Sequence, residues 1–196
     1  MKYKPYNLED VKKASAQNKF TVISTFAGGG GSSTGYRLAG GKILCVNEFV
    51  GEARKTYKLN YPDTIIMPDD IKELTGKDFL ETAGIKEGEL DILDGSPPCS
   101  AFSMCGTLGK SGSKHSDGWG KTKKYSTGKI VENIEDLFFE YIRVAKDIRP
   151  KVIIGENVAG LDAGEAKQKK NQIFKAFEEI GYEVSYKILN SAYYGV

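Results

Sequence analysis

The chain has 196 residues, with 28 Lys and Arg against 26 Asp and Glu, a formal net charge of +2 at neutral pH. That length suits one α/β domain with a sizeable core, and the near balance excludes any argument for a nucleic-acid partner from overall charge. Three cysteines and one histidine without metal-ligand spacing, no apolar run of membrane-span length and the polar start MKYKPYNLEDVKK predict reduced thiols, no metal, no membrane association and a soluble, cytoplasmic protein.

Residues 1–19 read as an N-terminal extension. The first strand is expected over Phe20–Phe26 and runs into FAGGGGSSTGYRLAGG, four consecutive glycines followed by small hydroxyl residues and helix-compatible sequence. A strand, a glycine-rich turn and a helix N-terminus let a ligand come close to the backbone. The turn is not a phosphate-cradling P-loop, because Gly35 is followed by Tyr36 and Arg37 where Lys and Ser or Thr are needed. It is a poor dinucleotide fingerprint as well, with Ser33 where Gly or Ala is wanted. The second strand, Lys42–Asn47, ends in CVNEF, which puts Glu48 about twenty residues beyond Gly28, where a carboxylate can hold a ribose diol. An adenosine moiety fits both features; a tight turn beside a solvated acid fits them too.

The third strand, Thr64–Met67, precedes Asp69, Asp70 and Ile71. The fourth, Leu90–Asp94, precedes GSPPCSAFSMCG and delivers Cys99 just past a carboxyl strand end, where open α/β sheets place their ligands. Pro97 and Pro98 stiffen that approach and withhold two N–H donors. Cys45, inside the apolar strand KILCV, reads as a small buried hydrophobe, and Cys105 as a loop thiol. Reactivity at Cys99 requires a lowered thiol pKa, which residue order alone does not supply.

Gly106 to Lys129 form a long loop by composition. From Lys110 to Lys129 six lysines face the single acid Asp117, a local charge of +5 suited either to phosphates or to plain solvation. Ile134, Leu137, Phe138, Tyr141, Ile142, Ala145 and Ile148 then recur at helical steps until Pro150 stops the pattern. The fifth strand, Val152–Gly155, should bring Glu156 and Asn157 to the same sheet edge as Cys99, a nucleophile beside an acid. Asn157 by default shapes its own loop. A helix over Asn171–Ile180, ended by Gly181, and a sixth strand, Glu183–Leu189, close the chain.

In order, FAGGGG, NE, DDI, SPPCSAFS and ENV, with LFFEYIRVAKDIRPKV and the closing LNSAYYGV, closely resemble the DNA cytosine-5 methyltransferases from Phe20 onward. The resemblance implies a Rossmann-like class I S-adenosylmethionine-dependent fold, a mostly parallel sheet of about six strands with helices on both faces, lacking the family's last strand. It implies residues 20–196 as an incomplete catalytic domain without the target-recognition domain. Phe26, Ala27, Gly28, Gly29 and Gly31 would line S-adenosylmethionine, Glu48 would hold its ribose, Asp70 and Ile71 its adenine, and Pro98 and Leu137 would complete the pocket. Cys99 would add to carbon 6 of a cytosine flipped out of double-stranded DNA, and Glu156 would hydrogen-bond ring nitrogen 3. Asn157, Ser103, Lys121, Lys123 and Lys124 are the candidate substrate contacts.

In this family YYGV is followed by an arginine-rich motif and the DNA-reading region. Three explanations suit the ending: an artificially shortened chain, a gene fragment, or half of a split enzyme whose second chain carries the missing motifs. The chain alone is expected to bind S-adenosylmethionine weakly and to show no specific methylation. Competing readings are a non-catalytic, partner-dependent module, a nicotinamide-dependent dehydrogenase and an enzyme acting on RNA.

Overall fold

The computed structural model describes residues 5–98, 122–124, 130–132, 136–162 and 166–194. Strands β1 (Thr21–Thr25), β2 (Lys42–Asn47), β3 (Ile65–Met67), β4 (Ile92–Gly95) and β7 (Val152–Gly155) form one sheet in the order β3-β2-β1-β4-β7. Every pairing in it is parallel. The chain winds outward from β1 in one direction and then returns to its other side at β4, so the order reverses between β1 and β4. Ligands of such sheets bind at the carboxyl ends beside that reversal. A separate antiparallel ribbon joins β5 (Thr122–Lys124) to β6 (Ile130–Glu132).

Successive strand residues point to opposite faces, and the inner strands β1, β2 and β4 are largely buried on both while the edge strand β7 is more exposed. Ile23, Cys45, Met67 and Leu93 pack on one face beneath α4 (Gly76–Ala83), α5 (Leu137–Ile148) and α6 (Ala166–Glu179). Val22, Ile43 and Val46 pack on the other with Val11 and Tyr57, beneath α1 (Leu8–Ser15), α2 (Gly31–Leu38) and α3 (Gly51–Asn60). Cys45 is fully buried, and desolvation pushes its thiol up to about 12, in keeping with a packing role. α1 is started by Asn7, whose side chain accepts from the N–H groups of Glu9 and Asp10, and its Val11 is wholly buried in the second core.

Helix α5 carries the apolar stripe expected of it and turns out of helical geometry at Arg149, φ 53°, directly before Pro150. α6 begins earlier than the sequence pattern suggests, at Ala166, and ends where expected, with Gly181 at φ 96°.

The expected sixth strand is a correction. Glu183–Leu189 carries no strand pairing among the described residues, and Tyr186, Ile188 and Leu189 are exposed. Its side chains find partners on α6 instead: the Tyr186 ring lies 5.8 Å from that of Phe174 and 4.4 Å from the Lys170 ammonium. An alternating pattern makes a strand only where a neighbouring edge supplies the hydrogen bonds.

Candidate functional site

The first strand leaves the sheet through a turn in which Phe26, Gly28 and Gly30 all have positive φ, at 53°, 55° and 95°. For Phe26 that conformation costs on the order of 1–2 kcal/mol, held by the packing around it. Gly30 is also crowded: a Cβ there would lie 3.1 Å from the Tyr57 ring and 3.2 Å from that of Tyr61, tighter than an ordinary contact. The turn is closed by an acid from the next strand. Glu48, only 6% exposed, accepts the Gly28 N–H at 2.8 Å on one carboxylate oxygen and the Val50 N–H at 2.7 Å on the other.

β2 also supplies Asn47, whose amide donates to Met67 O at 3.1 Å and Asp69 O at 2.8 Å and so fastens the segment that follows β3. Within that segment Asp70 accepts the Lys72 N–H at 3.2 Å. Phe26, Asn47, Glu48, Phe49, Val50, Asp70, Ile71, Ser96, Pro98 and Leu137 together enclose a cavity of about 160 Å³ at the carboxyl edge of the sheet. Phe26, Phe49, Val50, Ile71, Pro98 and Leu137 give it apolar walls, and its acids are Glu48 and Asp70.

β4 and β7 are zipped together as they leave the sheet. The buried Tyr141 hydroxyl lies 2.8 Å from Leu93 O and 3.0 Å from Ile154 O, one on each strand. Burial and the nearby Asp94 charge raise its pKa well above the phenol value, which keeps it a neutral donor. The Glu156 N–H donates to Gly95 O at 3.0 Å, and the Asn157 amide donates to Pro97 O at 3.2 Å. The proline pair preceding Cys99 and the Glu156–Asn157 pair are therefore held side by side. Glu156 is exposed, and none of the described residues bonds to its carboxylate.

Asp94, buried beneath α2, accepts from Ser24 and Ser32 at 2.7 Å and from Tyr36 at 3.0 Å. The same contact, with burial, raises the Tyr36 pKa, desolvation being the larger cause. One carboxylate thus ties β4 to β1 and to the first turn of the glycine-led helix.

Six of the residues expected around a cofactor line this one cavity: Phe26, Glu48, Asp70, Ile71, Pro98 and Leu137. Gly28 touches it through Glu48, while Gly29 and Gly31 belong to the turn behind it. The Ala27 side chain packs into the second core, on the far side from the cavity. Asn157 holds the proline loop by its backbone, and its side-chain oxygen also accepts the Val158 N–H within its own loop at 2.8 Å. Cys99, Ser103 and Lys121 lie outside the described residues. Lys123 and Lys124 stand on β5, whose backbone alone is described. Asn47, Phe49, Val50 and Ser96 were not anticipated, although Asn47 is one residue from Glu48 and shares its strand end.

No helix of the described residues is long and apolar enough to cross a membrane, and among them no cluster of His, Cys, Asp and Glu could hold a metal ion. The sheet order and helix placement are those of class I methyltransferases. Over 82% of this chain and 38% of the other, a prophage-encoded protein of E. coli superposes with a TM-score of 0.61 at 20% identity. The DNMT2 protein of Spodoptera frugiperda superposes with a TM-score of 0.54 at 18% identity, over 81% of this chain and 41% of that one. At those identities the likeness speaks for the fold.

Sequence comparison is more specific. The type II methyltransferase M.NgoPII of Neisseria gonorrhoeae is 32% identical over 183 residues, 91% of this chain and 45% of that protein. M.FnuDI of Fusobacterium nucleatum is 34% identical over 175 residues, 89% of this chain and 43% of that protein. The chain thus spans less than half the length of these relatives. No comparison supports a second chain as partner. Residues 20–196, from the start of β1 through both strand-end sites, match the model of the C-5 cytosine-specific DNA methylases, and the chain belongs to that family.

Proposed function

We propose that this chain binds S-adenosylmethionine in the cavity beside the glycine turn and carries the reacting groups for methylation of cytosine carbon 5 in double-stranded DNA. Residues 20–196 form the catalytic domain, with residues 1–19 preceding it and α1 packed against it. The observation that carries the reading is the juxtaposition of the two strand ends next to that cavity: Glu156 N–H on Gly95 O at 3.0 Å, Asn157 on Pro97 O at 3.2 Å, and Pro98 in the cavity wall.

The lining fits the group. Phe26, Ile71 and Leu137 suit the faces of an adenine ring, and the buried carboxylate of Glu48 at the end of β2 suits a ribose diol. When bound, S-adenosylmethionine supplies an electrophilic methyl group. The residues of the chain prepare the base to accept it. Carbon 5 of cytosine is a weak nucleophile, so the Cys99 thiolate first forms a bond to carbon 6, moving electron density toward carbon 5. Glu156, whose side chain has no partner among the described residues, donates a hydrogen bond from its protonated carboxyl to ring nitrogen 3 and stabilises the charge that develops. After methylation, loss of the carbon 5 proton returns the electron pair and expels the cysteine. The base must leave the duplex to reach these groups, at a cost of a few kcal/mol. The lysines from Lys110 to Lys129, including Lys121, Lys123 and Lys124, supply positive charge that DNA phosphates require, and Ser103 is a candidate contact to the base.

The test is trapping, by this chain completed to the length of its relatives, on a duplex carrying 5-fluorocytosine, where no proton can be removed after methyl transfer and the cysteine stays bound. A covalent adduct that forms with S-adenosylmethionine and disappears in Cys99→Ala supports the reading. An adduct that survives the substitution contradicts it.

A further inference from the structure

The cavity wall opposite the glycine turn is a short segment, residues 69–74, which has no strand or α-helix of its own to fix it. Its internal bonds are those of a turn: Glu73 N–H to Asp70 O at 2.8 Å and Leu74 N–H to Ile71 O at 3.3 Å. Asn47 holds one end through Asp69 O. The other end is held from α5, by residues on the polar side of that helix. Arg143 Nη2 donates to Ile71 O at 2.9 Å and to Leu74 O at 2.8 Å, while its Nε is steadied by the Glu140 carboxylate at 2.8 Å. One turn further on, Asp147 accepts the Gly76 N–H at 3.2 Å. The approach is so close that a Cβ on Gly76 would lie 2.2 Å from Cβ of Asp147.

Leu137, at the start of the same helix, lines the cavity itself. One rigid element therefore supplies one wall and anchors another. We propose that Arg143 is a positioning residue, holding the Asp70–Leu74 wall at the depth that a bound adenosine requires. The second half of that statement rests on the cavity being the S-adenosylmethionine site; the first half does not. A guanidinium suits the task because its planar fork reaches the two carbonyls and the carboxylate at once, a geometry that a single ammonium cannot reproduce.

The experiment uses the full chain and measures amide hydrogen exchange over residues 69–76 together with calorimetric binding of S-adenosylhomocysteine. Wild type is compared with Arg143→Gln, Arg143→Lys and Val11→Ala, the last of which destabilises the fold from the opposite core. In Arg143→Gln, exchange at Glu73 and Leu74 should quicken about tenfold and the Kd should weaken about tenfold, with Arg143→Lys between it and wild type. Val11→Ala should leave both unchanged at temperatures where it is folded. Unaltered exchange in Arg143→Gln, or the same quickening in Val11→Ala, overturns the proposal. Failure of the wild type to bind S-adenosylhomocysteine would instead sink the proposed function, while the exchange data still decide whether Arg143 fixes the wall.

Discussion

Glu48 and Glu156 both stand just past carboxyl strand ends of one sheet, yet they are held in opposite ways. Glu48 is buried and both of its oxygens are occupied by backbone N–H groups of Gly28 and Val50. Glu156 is exposed, and it is its backbone that is fixed, on Gly95 O. The Glu48 side of the cavity is thus fixed by its own hydrogen bonds, with its acid acting as part of the fold. At Glu156 the backbone is fixed while the carboxylate, the proposed reacting group, is left available. A group that must change partners during a reaction cannot also hold the structure together.

The largest expected effect comes from a residue that both sides share. A Cβ on Gly95 would come within 2.6 Å of Thr25 Oγ1 and 2.7 Å of the Tyr141 ring, so Gly95→Ala should destabilise the fold by about 3 kcal/mol in denaturant unfolding. Next is Glu48→Ala, which leaves two partly buried N–H groups without acceptors. It should cost about 2–3 kcal/mol by the same measurement and weaken S-adenosylmethionine binding in titration. A smaller effect is expected at the opposite end of β4. There Asp91 accepts from Lys151 at 2.7 Å and from the Thr21 N–H at 2.8 Å, and these contacts, that of Lys151 first, hold its carboxyl below the usual carboxylate range. The folded state binds that proton less tightly than the unfolded chain does. Its contribution is therefore complete near neutrality and fades as pH falls through the ordinary carboxylate range toward the lower folded value. Melting temperatures from pH 7 to pH 3 should drop less steeply in Asp91→Asn than in wild type. The smallest effect on stability belongs to Glu156→Gln, within about 0.5 kcal/mol, while adduct formation on 5-fluorocytosine DNA should be nearly lost. A large loss of stability there would erase the contrast between the two acids.

Much of the fold could be read from residue order because short apolar runs alternate with helical stripes, and all five sheet strands fall within two residues of where those runs place them. Glu48 was legible by its distance from Gly28, although in the folded chain its carboxylate serves the turn as well as facing the cavity. Asp94, Arg143 and Tyr141 were not legible as polar anchors. Each joins elements far apart in sequence, often through a backbone carbonyl, and a carbonyl is the same at every position. Glu183–Leu189 misled for a related reason: alternation makes a strand only beside a partner edge, and here the segment stays largely exposed, with Tyr186 resting on Phe174 and Lys170 of α6. Asn157 was readable only as a loop residue, since the Pro97 carbonyl that it grips lies sixty positions away.

A crystal structure of the chain with S-adenosylhomocysteine bears most directly on the whole account. Adenine is expected between Phe26, Ile71 and Leu137, the ribose at Glu48, and the sulfur end of the ligand facing a space bordered by both Cys99 Sγ and the Glu156 carboxylate. A ligand seated elsewhere, or those two groups on opposite faces of the sheet with no room for a pyrimidine between them, would contradict it.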